Sequence, residues 1–140
     1  MSVSVIVHAT AVAVGSRGVL FTGQSGSGKS SLALQLMAYG ALLVADDRVE
    51  LTRQGDDSLL MRSPRELDGK IEARNLGLIA TRSAPAIAVL HVDLDHVETE
   101  RLPQEREKLI AGVSIPSLRR VESSAFPAML MAYLNGGRIE

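Results

Sequence analysis

The chain has 140 residues, 46% hydrophobic and 22% charged, with a formal net charge of −1. This is the size and composition of one ordinary globular domain, expected to run over residues 1–140, and it excludes a basic field for nucleic acid or a polybasic membrane surface. The lack of cysteine excludes disulfides and thiolate metal sites and agrees with a cytoplasmic location.

Met1 leads into the alternation Ser2-Val3-Ser4-Val5, with no basic region before an apolar stretch, so a signal peptide is not expected. No apolar run approaches the ~18 residues that a membrane span needs. The valine-rich stretch from Val3 to Val14 has strand character. Gly15-Ser16-Arg17-Gly18 then turns the chain into Val19-Leu20-Phe21-Thr22, a second strand. Four residues cannot make a parallel crossover, so this pair is expected to be antiparallel.

Gly23-Gln24-Ser25-Gly26-Ser27-Gly28-Lys29-Ser30 follows, a glycine, four residues, then Gly-Lys-Ser. This is the phosphate-binding loop pattern. Its glycines let backbone N–H groups turn inward around phosphate oxygens. Lys29 places a cation on the outer phosphates, and the Ser30 hydroxyl can ligate Mg²⁺. A flexible Gly/Ser loop is the bland alternative, and context argues against it. Leu32, Ala33, Leu36, Met37 and Tyr39 recur at helical spacing, and Gly40 supplies a stop. Strand, loop and helix in that order aim a helix N-terminus at the phosphates. The chain is expected to bind a nucleoside triphosphate or another polyphosphate.

Ala41 to Ala45 reads as a buried strand ending in Asp46-Asp47. Successive strand side chains point oppositely, so these carboxylates are expected to have different tasks. In phosphoryl transfer one acid serves the metal and another orients or deprotonates the attacking hydroxyl. Asp93, after the strand Ala86–Val92, is a rival metal carboxylate. Val49 to Leu51 and Leu59 to Met61, around the turn Gln54-Gly55-Asp56-Asp57, read as a hairpin.

His8 is placed in the strand antiparallel to the loop strand, near the phosphates. His91 and His96 have no partner at ligand spacing. In Ile71–Leu78, Glu72 and Arg74 share a side if extended, suiting a metal carboxylate and a phosphate guanidinium, or simply a surface ion pair. Asp95 to Ala111 reads as a charged, mobile loop with a little helix, and Arg119-Arg120 as surface. Ala128 to Leu134 reads as a final helix, with Pro127 near its start and Asn135-Gly136-Gly137 ending it. The fold class is α/β with a mixed sheet.

Together the blocks Val7-His8-Ala9, Gly23–Ser30, Leu43–Glu50 and Ile71–Ile79 resemble the catalytic domain of HPr kinase/phosphorylase, over roughly Val7 to Leu102. The resemblance implies a phosphate-loop kinase fold like that of phosphoenolpyruvate carboxykinase, in a short form without a separate N-terminal domain. It implies an ATP- and Mg-dependent protein-serine kinase acting on an HPr-like phosphocarrier protein of the phosphotransferase system, assembled as a homo-oligomer, a hexamer in homologues. By the same resemblance His8 is the active-site histidine, Lys29 the phosphate lysine, and Asp46-Asp47 the acidic pair containing the proton acceptor. Ser30 and Glu72 are the metal ligands, and Arg101, in Glu100-Arg101-Leu102, is a catalytic arginine. The family's segment for the reverse, dephosphorylating reaction is replaced here by Pro116–Glu122, which sets phosphorylase activity in question. Two other readings stay open: a small-molecule kinase or carboxykinase-like enzyme on the same scaffold, and a non-catalytic nucleotide-sensing module, which would need only the loop.

Overall fold

The computed structural model describes residues 3–64 and 68–139, so the Ser2 end of the first alternation lies outside it. Its strands are β1 (Ser4–Val7), β2 (Thr10–Val14), β3 (Arg17–Thr22), β4 (Leu42–Ala45), β5 (Val49–Gln54), β6 (Ser58–Arg62), β7 (Lys70–Ala73), β8 (Gly77–Ala80), β9 (Ala86–Val97), β10 (Arg106–Ile110) and β11 (Val113–Arg120). The helices are α1 (Lys29–Ala38) and α2 (Phe126–Gly136).

The main sheet runs β1-β5-β6-β9-β3-β2-β4, and the β10–β11 hairpin joins it through β11 on β9. The long strand β9 is its hub. It lies parallel to β3 along one edge, from Arg17↔Ile87 to Thr22↔Asp93. Its other edge takes β6 antiparallel at Ala86–Ile87 and β11 parallel from His91 onward. The sheet is therefore mixed, and β2 and β3 are antiparallel as the short turn requires.

Strand alternation divides the core. Ala11, Ala13 and Leu20 point to a face where the sheet curls over itself onto Leu51, Leu59, Met61 and Ile115. Val12, Val19 and Phe21 point to the opposite face, where α1 and α2 pack. Helix α1 buries Leu32, Ala33 and Leu36 there. Burial of a fully enclosed leucine such as Leu36 contributes about 2 kcal/mol, and this packing holds α1 rigidly behind the loop. Gly40 (φ 106) ends the helix as expected.

Three expectations are corrected. The valine-rich N-terminal stretch is two strands: β1 pairs with β5 and β2 with β3 and β4, and His8 sits at the bend between them instead of inside a strand. The charged stretch from Asp95 is loop only over residues 98–105 and strand on either side, since β9 continues to Val97 and β10 and β11 form a hairpin. Its turn is Ala111-Gly112, with φ of 50 and 83, flanked by the pair Ile110↔Val113. Both turn residues need positive φ, and alanine in place of asparagine hides the turn's usual signal. Lastly, Arg120 is partly buried and tied down instead of free on the surface. Its guanidinium donates to the Leu94 carbonyl at 3.0 Å and to the Ser27 carbonyl, tying β11 to the phosphate loop.

Candidate active site

Thr22, the last residue of β3, delivers the chain into the loop. At Gly23 (φ 154) a Cβ would lie 2.5 Å from Ser27 Oγ, and Gly28 (φ 99) is the cap of α1. Neither position suits a side chain. The helix starts with no capping side chain and no acid in its first turn, so its N-terminal N–H groups and positive dipole end are presented to the loop. Lys29 is buried, and its Nζ donates to the Gly23 and Gln24 carbonyls at 2.7 and 3.1 Å. A second tether is Asp95, whose Oδ1 accepts the Gln24 N–H at 3.0 Å.

Beside the loop, β4 ends in the two aspartates, and the structure separates them. Asp46 is buried. Its Oδ1 accepts from Thr10 Oγ1 at 2.9 Å and Ser30 Oγ at 2.7 Å, and its Oδ2 from the Glu72 N–H at 3.0 Å. Asp47 turns the other way, with its side chain 59% exposed and its Oδ1 2.9 Å from His8 Nε2. The backbone makes this possible. Asp47 has φ 69, and the Arg48 N–H donates across it to the Asp46 carbonyl at 2.8 Å. Such a turn is uncommon for a non-glycine residue and costs about 1–3 kcal/mol. The Ala9 N–H donates to the Asp47 carbonyl at 3.2 Å, which fixes His8 over it.

The β7–β8 hairpin closes the site. Glu72 and Arg74 both line a cleft of ≈ 520 Å³ that also contains His8, Lys29, Ser30, Asp46 and Asp47. Gln24 stands beside this cleft in the loop, while Ser25 and Gly26 line it. Arg101 is exposed between β9 and β10 and is not among the lining residues. The rival carboxylate Asp93 lies opposite Thr22 at the entry to the loop and does not line this cleft either. It binds His96 Nδ1 at 2.6 Å and the Asp95 N–H at 2.9 Å; burial works to raise its pKa, but these contacts hold it below the usual range. Ser30 pairs with Asp46 instead.

His91 is a core residue, as its lack of partners suggested. It is buried between Thr22 Oγ1 and Ser117 Oγ, each 2.7 Å from a ring nitrogen. Burial, with Lys108 adding to it, lowers its pKa to about 4, against a smaller opposing effect of Asp93. Three contacts could not be foreseen from the chain alone: Thr10 with Asp46, Asp95 with Gln24, and Arg120 with Ser27. Asp95 carried a faint signal, since it lies two residues beyond Asp93 on a strand and so shares its face.

Among the described residues no group of three or more His, Cys, Asp or Glu side chains is placed to hold a metal, and no helix is long and apolar enough to cross a membrane. A hydroxyl and carboxylates around a phosphate loop nonetheless suit Mg²⁺, a hard cation that keeps several waters and binds through one or two carboxylates plus phosphate. Ser30, Asp46 and Glu72 supply such oxygens in one cleft.

The family model for the HPr serine kinase C-terminal domain matches residues 1–121. HPr kinase/phosphorylase of Geobacillus kaustophilus is 38% identical over 80% of this chain and 40% of its own length. The Halalkalibacterium halodurans protein of the same name is 48% identical over 52% of this chain and 24% of its own. This chain thus spans less than half the length of these relatives. The solved structure of the Hpr(Ser) kinase/phosphatase from Coxiella burnetii superposes with a TM-score of 0.74, at 23% identity and 93% coverage of both chains, and so shares the curled mixed-sheet fold. Because that family model matches residues 1–121 of the 140, the chain belongs to the HPr serine kinase C-terminal domain family.

Proposed function

We propose that this chain transfers the γ-phosphoryl group of ATP to a serine hydroxyl of an HPr-like phosphocarrier protein, with Mg²⁺. The observation that carries the proposal is the division of labour at Asp46-Asp47. One carboxylate is buried on the loop serine, and its neighbour is turned out beside His8 at the mouth of the cleft.

The chemistry follows from these positions. Loop N–H groups and Lys29 bind the phosphates and set them in line with the cleft. Asp47 accepts the proton of the incoming serine hydroxyl as its oxygen bonds to the γ-phosphorus and ADP leaves. His8 orients that carboxylate. Ser30, Asp46 and Glu72 would hold Mg²⁺, which when bound neutralises charge on the outer phosphates. Arg74, lining the same cleft, would pair with phosphate. Arg101 reaches the reaction only with its segment repositioned over the cleft.

A nucleotide-sensing module would need the loop alone, whereas this cleft also holds a histidine–aspartate pair and a second acid. The test is to incubate the protein with labelled ATP, Mg²⁺ and purified HPr, and to locate the label by phosphopeptide mapping. Label on an HPr serine is expected. Nucleotide binding without transfer, or label on small molecules only, would overturn the proposal.

A further inference from the structure

Strand β9 runs on past the root of the phosphate loop. Its Asp93 stands opposite Thr22, the last residue before the loop, so two residues further on Asp95 stands beside the loop itself. There its Oδ1 accepts the Gln24 N–H at 3.0 Å, while its own N–H donates to Asp93 Oδ1 at 2.9 Å. The carboxylate comes this close because residue 23 is glycine; a Cβ there would crowd the same oxygen at 3.3 Å.

The Gln24 N–H and the Gly23 C=O are the two ends of one peptide unit. No peptide bond among the described residues is cis, so these groups point in opposite directions across one plane. The Gly23 C=O accepts from Lys29 Nζ at 2.7 Å. Asp95 and Lys29 therefore grip one peptide from opposite sides, a carboxylate on its donor and an ammonium on its acceptor. Both bonds are of the stronger, charge-assisted kind. A flip of the peptide would turn its oxygen onto the carboxylate and its N–H onto the ammonium, and both contacts would repel. Glycine at one end of the unit leaves such a flip little steric resistance, so the two charges set its orientation.

We propose that Asp95 is a positioning residue for nucleotide binding and phosphoryl transfer. It fixes the Gly23–Gln24 peptide in the one orientation that anchors the Lys29 ammonium under the loop. This rests on the phosphate-loop reading above. Asp95 lines neither the reactive cleft nor the pocket over the loop, so it acts on the phosphates only through the loop backbone and Lys29.

The experiment compares wild type, Asp95→Ala and Asp95→Asn. Asp95 is exposed, so neither substitution opens a cavity in the core. The asparagine keeps an oxygen for the Gln24 N–H and loses only the charge. The first readout is the NMR spectrum of nucleotide-free protein carrying ¹³C-labelled lysine. Lys29 is buried, whereas the chain's other lysines, Lys70 and Lys108, are exposed. The Lys29 ε-methylene signal should stand apart from theirs in wild type and in Asp95→Asn, and move toward them in Asp95→Ala. The second readout is ATP affinity by calorimetry at fixed Mg²⁺. It should fall ~10-fold in Asp95→Ala and stay within about threefold of wild type in Asp95→Asn. An unmoved Lys29 signal in Asp95→Ala, ATP affinity equal to wild type, or an equal loss in both variants overturns the role of Asp95 and leaves the phosphate loop standing. Failure of wild type to bind ATP overturns the phosphate-loop reading, and this one with it.

Discussion

His91 makes the protein's stability depend on pH in a calculable way. It is buried at the root of the phosphate loop, hydrogen-bonded to Thr22 and Ser117, and its pKa is about 4 instead of 6.5. The main cause is burial, which disfavours the imidazolium. A histidine with a depressed folded pKa is neutral in the fold and protonates more readily in the unfolded chain. Its stabilising effect is thus fully present above pH ~6.5 and is lost as pH falls toward 4. Between pH 8 and pH 5 those two pKa values imply a differential of about 30-fold in the folding equilibrium, or about 2 kcal/mol. That is a large share of the roughly 5–15 kcal/mol of a typical domain. The assay is urea unfolding at pH 8 and pH 5 for wild type and His91→Gln, which keeps polar atoms for the two hydroxyls but does not titrate. The exposed His8 and His96 are common to both proteins and cancel. Wild type should lose about 2 kcal/mol more than the variant over this range. Parallel losses in the two proteins would refute the reasoning.

Three further outcomes are expected. Lys29→Ala should abolish transfer and weaken nucleotide binding by ~10-fold or more in calorimetry, because it removes the cation lodged under the loop. Gly23→Ala should impair nucleotide binding without unfolding the protein, since its Cβ would lie 2.5 Å from Ser27 Oγ at φ 154, a strain of about 1–3 kcal/mol confined to the loop; calorimetry and circular dichroism check the two halves. Serine-phosphorylated HPr mixed with the protein, Mg²⁺ and excess phosphate should release pyrophosphate far more slowly than the forward reaction consumes ATP, because β11 and the turn after it occupy Pro116–Glu122 and fix Arg120 on the loop.

What could be read without coordinates had short-range causes. Gly23–Ser30 between an apolar run and a helical pattern is a local arrangement, and α1, the β2–β3 hairpin and the β5–β6 hairpin all appear where the pattern put them. Non-local pairing was hidden. The break at His8 exists because β1 is recruited by β5, some 45 residues away, and nothing in the valine-rich run marks it. Strands β10 and β11 lie at a sheet margin with polar outer faces, so their alternation looked like a solvated loop. At the site, residue types located the carboxylate pair, but the split of Asp46 from Asp47 depends on a positive φ and on Thr10, Ser30 and Glu72 converging from three other segments. Arg120 carried no signal, because its partners are backbone carbonyls.

The most direct test of the account is single-turnover transfer from ATP to HPr by Asp47→Asn, at nucleotide concentrations shown by calorimetry to saturate both proteins. The amide keeps the shape beside His8 but loses the charge and the proton-accepting oxygen. If Asp47 is the acceptor, nucleotide affinity stays near wild type while the transfer rate falls by about 10²–10⁴-fold. Transfer at the wild-type rate would contradict the assignment of Asp47 as the base and, with it, the division between the two aspartates on which the proposed function rests.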